Sequence, residues 1–167
     1  MALQPDRTFR RASAQDYDVL ADIMFDAVRS GESLYDERQR AAWVRERRSG
    51  PDWVARLDPQ QIVVAEQEGE AVGFVSLAQG GYVDFAYIRP RAQHSGLFRQ
   101  LLSQIEEFAR ARGENMLWTH ASLMAEPAFG RLGFTIRKRE QVRIGDQVLD
   151  RCEMEKILDK ADREKSS

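Results

Sequence analysis

Ile88–Leu102 reads IRPRAQHSGLFRQLL, a strand end running through a basic, glycine-containing loop straight into an amphipathic helix. The loop carries Arg89 and Arg91 and ends at Gly96, where the helical periodicity begins. Backbone N–H groups in the first turn of a helix have no intrahelical acceptor, and they stand at the positive end of the helix dipole. A junction of this kind is suited to hold a phosphate without help from a catalytic side chain. An ordinary strand-to-helix connection, in which the glycine only relieves sterics, is the alternative, and the rest of the chain decides between the two.

Working outward, YVDFAYI before the loop (Tyr82–Ile88) reads as a strand. Leu97, Leu101, Leu102, Ile105, Phe108 and Ala109 after it make a helical stripe that Gly113 closes as a C-cap. Upstream, QIVVAEQ and AVGFVSLA flank a turn at Glu68–Glu70 and predict an antiparallel hairpin, and Gly80 and Gly81 separate it from the next strand. Ser13 and Asp16 form a capping box before a helix of period 3.6 through Val28, and a short strand around Thr8–Arg11 precedes it. A second helical stretch covers about 36–48, broken by Gly50 and Pro51. Downstream come a buried strand over 115–121, a short helix over 125–132 stopped by Gly133, and two strands joined at Gly145 and Asp146. The order is strand, two helices, three strands, helix, strand, short helix, hairpin. It predicts a mixed α/β (α+β) domain with a mostly antiparallel sheet, rather than a doubly wound one.

A chain of 167 residues, 43% of them hydrophobic, fits a single domain spanning 1–167. Its core is expected over about 7–158, followed by a charged tail at 159–167. The balance of 25 basic and 27 acidic residues leaves a net charge of -2, which offers no general field for nucleic acid or an anionic membrane. The opening MALQPDRTFRR lacks the apolar core of a signal peptide, and no run approaches the ~20 apolar residues of a membrane span, so a cytoplasmic protein is expected. One cysteine, Cys152, excludes an intrachain disulfide, and two separate histidines beside it make a poor zinc set, so no metal is expected. Cys152 shares an apolar strand face with Val148 and Met154, the pattern of a small buried side chain and not of a nucleophile.

This order, with the loop between the fourth strand and the third helix, resembles the GCN5-related N-acetyltransferases over nearly the whole chain. That family's acetyl-CoA loop reads Gln or Arg, two residues, Gly, one residue, Gly or Ala. Gln93, His94, Ser95, Gly96, Leu97 and Phe98 match it except at Phe98, whose ring must turn outward or pack beneath the loop. The segment HASLMAEPAFGRLGF resembles the part that packs a small helix and a Gly-Phe pair, here Gly133 and Phe134, against the pantetheine arm. The family often has a tyrosine as proton donor in the slot held here by Phe129. LYDERQRAAW, with Tyr35, Gln39 and Trp43, is similar to a subset of bacterial members that continue through Ala121 and Ser122.

The resemblance implies splayed fourth and fifth strands that admit acetyl-CoA along Tyr87, Ile88, Gln93, His94, Ser95, Gly96, Leu97 and Phe98. Arg89 and Arg91 would meet a phosphate, and Ser122 and Phe129 would line the cofactor's far arm. A homodimer is also admitted. The implied activity is transfer of an acetyl group from acetyl-CoA to a primary amine by direct attack, which requires a base, a proton path and oxyanion stabilisation. Its rival is a CoA-binding regulatory module that keeps the fold without turnover.

Three side chains are candidates for proton transfer. Asp84 is the first choice of base, ahead of His120: it is a carboxylate in an apolar strand, and strict alternation puts it on one face with Tyr82, Ala86 and Ile88. The alternative for Asp84 is a structural pair with Arg89 or Arg91. His120 ends the fifth strand and titrates near neutrality. Tyr82 shares the face of Asp84 and is preferred to Tyr87 as a replacement acid. Glu32, Tyr35, Asp36 and Glu37 are expected on the acceptor side, where acids would suit an amine.

Overall fold

A computed structural model describes residues 6–158, so the expected charged tail at 159–167 lies outside the described residues. The elements run β1 (Arg7–Arg11), α1 (Tyr17–Ser30), α2 (Glu37–Trp43), α3 (Gly50–Leu57), β2 (Gln61–Gln67), β3 (Glu70–Leu77), β4 (Tyr82–Ile88), α4 (Leu97–Ala111), β5 (Met116–Ser122), α5 (Glu126–Arg131), β6 (Thr135–Ile144) and β7 (Gln147–Ile157). Seven strands form one sheet in the order β1-β2-β3-β4-β5-β7-β6. Every neighbouring pair is antiparallel except β4 and β5. The mixed, mostly antiparallel sheet expected from the pattern is present.

Each face of the sheet is covered by its own apolar layer. Leu97, Leu101, Leu102, Ile105 and Ala109 of α4, with Phe129 of α5, pack on Val63, Val75, Leu77 and Leu117. On the other face, Leu20, Ile23, Met24 and Val28 of α1 and Trp53 and Leu57 of α3 cover Ile62, Val64, Phe74 and Phe85. Helix α4 ends in a Schellman motif: the Glu114 N–H reaches the Ala109 carbonyl and the Gly113 N–H the Arg110 carbonyl, with Gly113 at φ +84°.

The region 36–57 differs from expectation. Gly50 and Pro51 start a helix where a break was predicted, and the preceding helix stops at Trp43, leaving 44–49 as a loop. Proline is tolerated in a first turn because its missing N–H needs no acceptor there. Trp53 and Leu57, one turn apart, bury a single face and hold α3 in place. The phosphate-like loop therefore opens the fourth helix, not the third.

Two details of β4 position the site. Its ladder with β5 is short, pairing Tyr82 with Trp118 and Val83 with Thr119. The Thr119 hydroxyl donates to the Val83 carbonyl at 2.8 Å to close it, and past this point the two strands separate. Gly81 permits the approach, since a Cβ there would lie 2.1 Å from the Met116 carbonyl oxygen, and its φ is +76°. The second detail is a bulge. Val75 pairs with Ala86 but Leu77 with Val83, so β4 spends three steps where β3 spends two. The buried Ser76 hydroxyl accepts the displaced Phe85 N–H at 3.0 Å. Strict alternation consequently fails: Val83, Ala86 and Ile88 face the α4 layer, while Phe85 and Tyr87 face the α1 layer. Tyr82 and Asp84 join that second pair in the wall of one cavity.

Candidate active site

The separation of β4 from β5 opens two cavities that share Trp43, Tyr87 and Ser122 as common wall. The smaller, about 410 Å3, lies over the N-terminus of α4 and is walled by Ala86–Ile88, Ala92–Arg99 and residues of α5. Among the described residues, no acceptor is found for the backbone N–H groups of His94, Gly96, Leu97, Phe98 and Arg99. Four of these stand in sequence at the helix start, from Gly96 at φ +80° to Arg99, an arrangement suited to an anion. His94 also takes a positive φ of 59°, uncommon for a side chain and consistent with a loop shaped to turn its amides one way. The loop is braced from outside. Gln93 Nε2 donates to the Ile88 carbonyl at 2.9 Å, and Arg7 Nη1 donates to the Ser95 carbonyl at 3.1 Å.

Phe98 packs beneath this loop, edge-on to Phe129 with ring centroids 5.0 Å apart, and Phe129 meets Phe134 in the same manner at 4.9 Å. The bulky residue at the loop's usually small position thus anchors it to the core and leaves the amides open. Phe129 is buried, and its slot contributes no hydroxyl. Arg91 is placed elsewhere than expected: it pairs with Glu70 on β3 and lines neither cavity. Arg89 likewise turns away, to Asp26 at 3.2 Å and to the Ala71 carbonyl at 3.0 Å.

The larger cavity, about 700 Å3, lies on the other side of the shared wall. Tyr82, Asp84 and His120 all reach it. The Tyr82 hydroxyl and His120 Nδ1 are 2.8 Å apart, and Trp118 packs against both rings. His120 Nε2 faces Glu140 and Glu153 at 3.6 and 3.7 Å. Burial lowers the pKa of His120 and the nearby Arg151 lowers it further, against Glu140 and Glu153, so the ring rests neutral at pH 7. Burial, then Asp84, raises the pKa of both Tyr82 and Tyr87 and keeps them protonated. Among the described residues the Tyr87 hydroxyl has no hydrogen-bond partner, and it stands where the two cavities meet.

Asp84 is otherwise engaged. Its partner is not Arg89 or Arg91 but Arg56 of α3, which donates from Nε and Nη2 at 2.8 and 2.7 Å, with Gln60 Nε2 adding a bond of 2.8 Å. A carboxylate offers about four lone-pair sites, so three are taken, and the side chain is only 6% exposed. The acids expected on the acceptor side also disperse. Glu32 lies at the smaller cavity, Asp36 caps α2 through the Gln39 N–H at 2.8 Å, and Glu37 reaches neither cavity. Tyr35 does line the larger one, where it donates to the Asp150 carbonyl and accepts from the Leu123 N–H, tying β5 to β7.

Sequence reasoning missed the arginines of this cavity, Arg45, Arg47, Arg48, Arg56 and Arg151, and the apolar wall of Val142, Ile144 and Leu149 from the closing hairpin. The run Ser49-Gly50-Pro51-Asp52 carried a helix-start signal that would have placed Arg56 beside the sheet. Cys152 is buried against Met154, with its pKa raised by burial, as a packing residue should be. Among the described residues no group of three or more His, Cys, Asp or Glu side chains is placed to hold a metal ion, and no helix is long and apolar enough to cross a membrane.

The same architecture is found in known proteins. A curated relative, the uncharacterised N-acetyltransferase YafP of Escherichia coli (strain K12), is 30% identical over 128 residues, 76% of this chain and 80% of that protein. The GCN5-related N-acetyltransferase "Aminotransferase, Class-II" of Rhodopseudomonas palustris superposes with a TM-score of 0.84 at 26% identity, covering 95% of this chain and 99% of the other. The yncA protein of Salmonella typhimurium, solved with its cofactor acetyl-CoA, follows at a TM-score of 0.65 and 25% identity, covering 93% and 95%. The family model described as "Acetyltransferase (GNAT) domain" matches residues 33–158, and with the likeness to YafP it establishes that the chain belongs to the GNAT acetyltransferases.

Proposed function

We propose that the protein transfers an acetyl group from acetyl-CoA to a primary amine by direct attack, with the two cavities as cofactor and acceptor sites. The observation that carries this reading is the meeting of the two cavities at Tyr87 and Ser122, beside a neutral histidine bonded to a tyrosine. When bound, acetyl-CoA supplies the activated acyl group. Its pyrophosphate fits the free amides of Gly96–Arg99, and its pantetheine arm fits the gap between β4 and β5 along Tyr87, Ile88, Ser122 and Phe129. Acetyl-CoA bound to the Salmonella relative supports the same use of this fold.

For the acceptor, the Tyr82–His120 pair acts as one base. Two carboxylates facing Nε2 favour the tautomer with its proton there, leaving Nδ1 to accept from the Tyr82 hydroxyl. As the amine attacks, the Tyr82 oxygen takes up the amine proton while its own proton passes to Nδ1. Glu140 and Glu153 stabilise the resulting imidazolium. The tied-up Asp84 serves this site as the anchor of Arg56 and not as the base. Tyr87 donates a hydrogen bond to the departing sulfur. Because burial holds its pKa above the thiol range, it keeps its proton, and the sulfur is protonated from solvent.

Thiol release from acetyl-CoA over a panel of amines tests the reading. Turnover on at least one amine is expected, with kcat down about a hundredfold in His120→Ala and the CoA-induced thermal shift retained. A CoA-dependent shift without turnover on any amine would favour the binding module instead. Full activity in His120→Ala would remove the base.

A further inference from the structure

We propose that the acceptor is a primary amine that also carries a carboxylate, bound by Arg45 and Arg48 at the mouth of the larger cavity. The proposal rests on the acetyl-transfer reading above for the location of the amine, and adds what else the amine must carry. The acceptor cavity is lined by Arg45, Arg47, Arg48, Arg56 and Arg151 against only Glu46, Asp52 and Asp84, with no lysine. Most of these charges are spent within the protein. Arg56 holds Asp84 at 2.7 Å, Arg151 holds Glu140 at 2.9 Å, and Arg47 holds Asp22 at 3.1 Å.

Arg45 and Arg48 differ from the other three. Neither has a hydrogen-bonded or ion-paired partner among the described residues, although Glu46 and Asp52 stand in the same wall. Their loop is nevertheless fixed. Arg29 Nη1 donates to the Val44 and Arg45 carbonyls at 3.1 and 3.2 Å, and Arg47 reaches back to the Asp18 carbonyl at 3.3 Å. A loop tied at its first two carbonyls and by the Arg47 side chain, while two guanidinium groups stay unmatched, is an arrangement prepared for an anion from outside. Arg48 acts electrostatically on the half-buried Tyr87, at the junction where the acetyl-transfer reading puts the thioester. An amine placed for attack therefore has its substituents within the field of that arginine. Across the cavity, Val142, Ile144 and Leu149 offer an apolar wall for a side chain. An amine, an adjacent anion and an apolar substituent together describe an amino acid or a close analogue.

Trp43 and Trp53 lie in the wall, so binding can be read by tryptophan fluorescence whether or not turnover occurs. The probes are matched pairs of N-acetylglycine, N-acetylleucine, N-acetylphenylalanine and N-acetylglutamate with their carboxamides, added to the CoA-loaded protein. N-acetyl-aminomethylphosphonate is added as a phosphonate arm. At least one acid should bind about tenfold more tightly than its amide, and the ratio should fall to about one in the double variant Arg45→Gln, Arg48→Gln. Both side chains are exposed and unpaired, so that variant should fold, and its CoA-induced thermal shift checks this. Equal or weaker binding of every acid, absence of binding included, overturns the proposal, as does a preference that survives in the double variant. Tightest binding by the phosphonate overturns the choice of carboxylate. If no amine is acetylated but the acid preference holds, the transfer reading fails and the acceptor role with it, while the carboxylate site at Arg45 and Arg48 stands.

Discussion

The two cavities that meet at Tyr87 are built by opposite means. The proposed cofactor side is centred on a backbone surface, the loop and helix start at 92–99, where the working groups are amides and the sequence has only to make the chain turn at Gly96. The proposed acceptor side is a side-chain surface gathered from the 45–49 loop, α3, β4, β5 and the β6–β7 hairpin. Amides presented by a helix start tolerate changes of side chain, which explains how Phe98 can occupy a position that usually holds a small residue. Groups such as the Tyr82–His120 pair have no backbone substitute. Mutations on the two sides should therefore fail in different currencies, affinity for CoA on one and turnover on the other.

The largest expected effect is on the acceptor side. Removing the hydroxyl in Tyr82→Phe should lower kcat about a hundredfold with CoA affinity unchanged, since the amine then has no direct route to Nδ1. The double variant Tyr82→Phe, His120→Ala should be no slower than His120→Ala alone, because the two side chains act as one unit. Multiplying rather than overlapping losses would separate them. The pH profile sharpens the same point. Activity needs neutral His120, whose pKa lies below the ordinary value of ~6.5, so the acid limb of kcat/KM should fall below that value and vanish in His120→Ala. An acid limb that persists unchanged there would move the base elsewhere.

An intermediate effect is expected from Gly96→Ala on the cofactor side. No neighbour lies within 4 Å of a Cβ at this position, so the penalty is conformational only: alanine at φ +80° costs about 1–2 kcal/mol. If the loop relaxes to relieve that strain, its amides no longer converge, and the Kd for CoA should rise about tenfold while kcat at saturation stays. Calorimetric titration with CoA beside saturating kinetics reads both. A fall in kcat with unchanged Kd would mean that the amides position the thioester rather than hold the phosphate.

The same contrast governs what could be read from the sequence. The loop, its helix and the hairpins follow from periods and glycines that act within a few residues, and Tyr82 and His120 were visible as polar groups at strand ends. Arg91 was misplaced because nearness in sequence to a phosphate loop does not set the direction of a side chain, and Glu70 across the ladder captured it. Asp84 was assigned to a face by period-2 counting, which a bulge satisfied by Ser76 invalidates. Its partner Arg56 was hidden because Gly50 and Pro51 were read as a break, although proline in a first turn is equally a start.

Asp84→Asn should therefore have the smallest effect on turnover, although a carboxylate in the wall of the larger cavity is the base expected from the sequence. The asparagine oxygen can still accept from Arg56 or Gln60, but its NH2 group faces donors, so part of the network is lost. Arg56 is 58% exposed and can turn to water, which limits the cost to about 1 kcal/mol of stability. With His120 as the base, kcat should stay within about threefold of wild type, and the acid limb of the pH profile should remain, moved slightly down because Asp84 helps to raise the His120 pKa. A hundredfold loss of kcat in a folded Asp84→Asn protein would reverse the assignment. It would require Asp84 to exchange Arg56 for the amine as substrate enters, making α3 a moving part of the acceptor site and not a fixed wall.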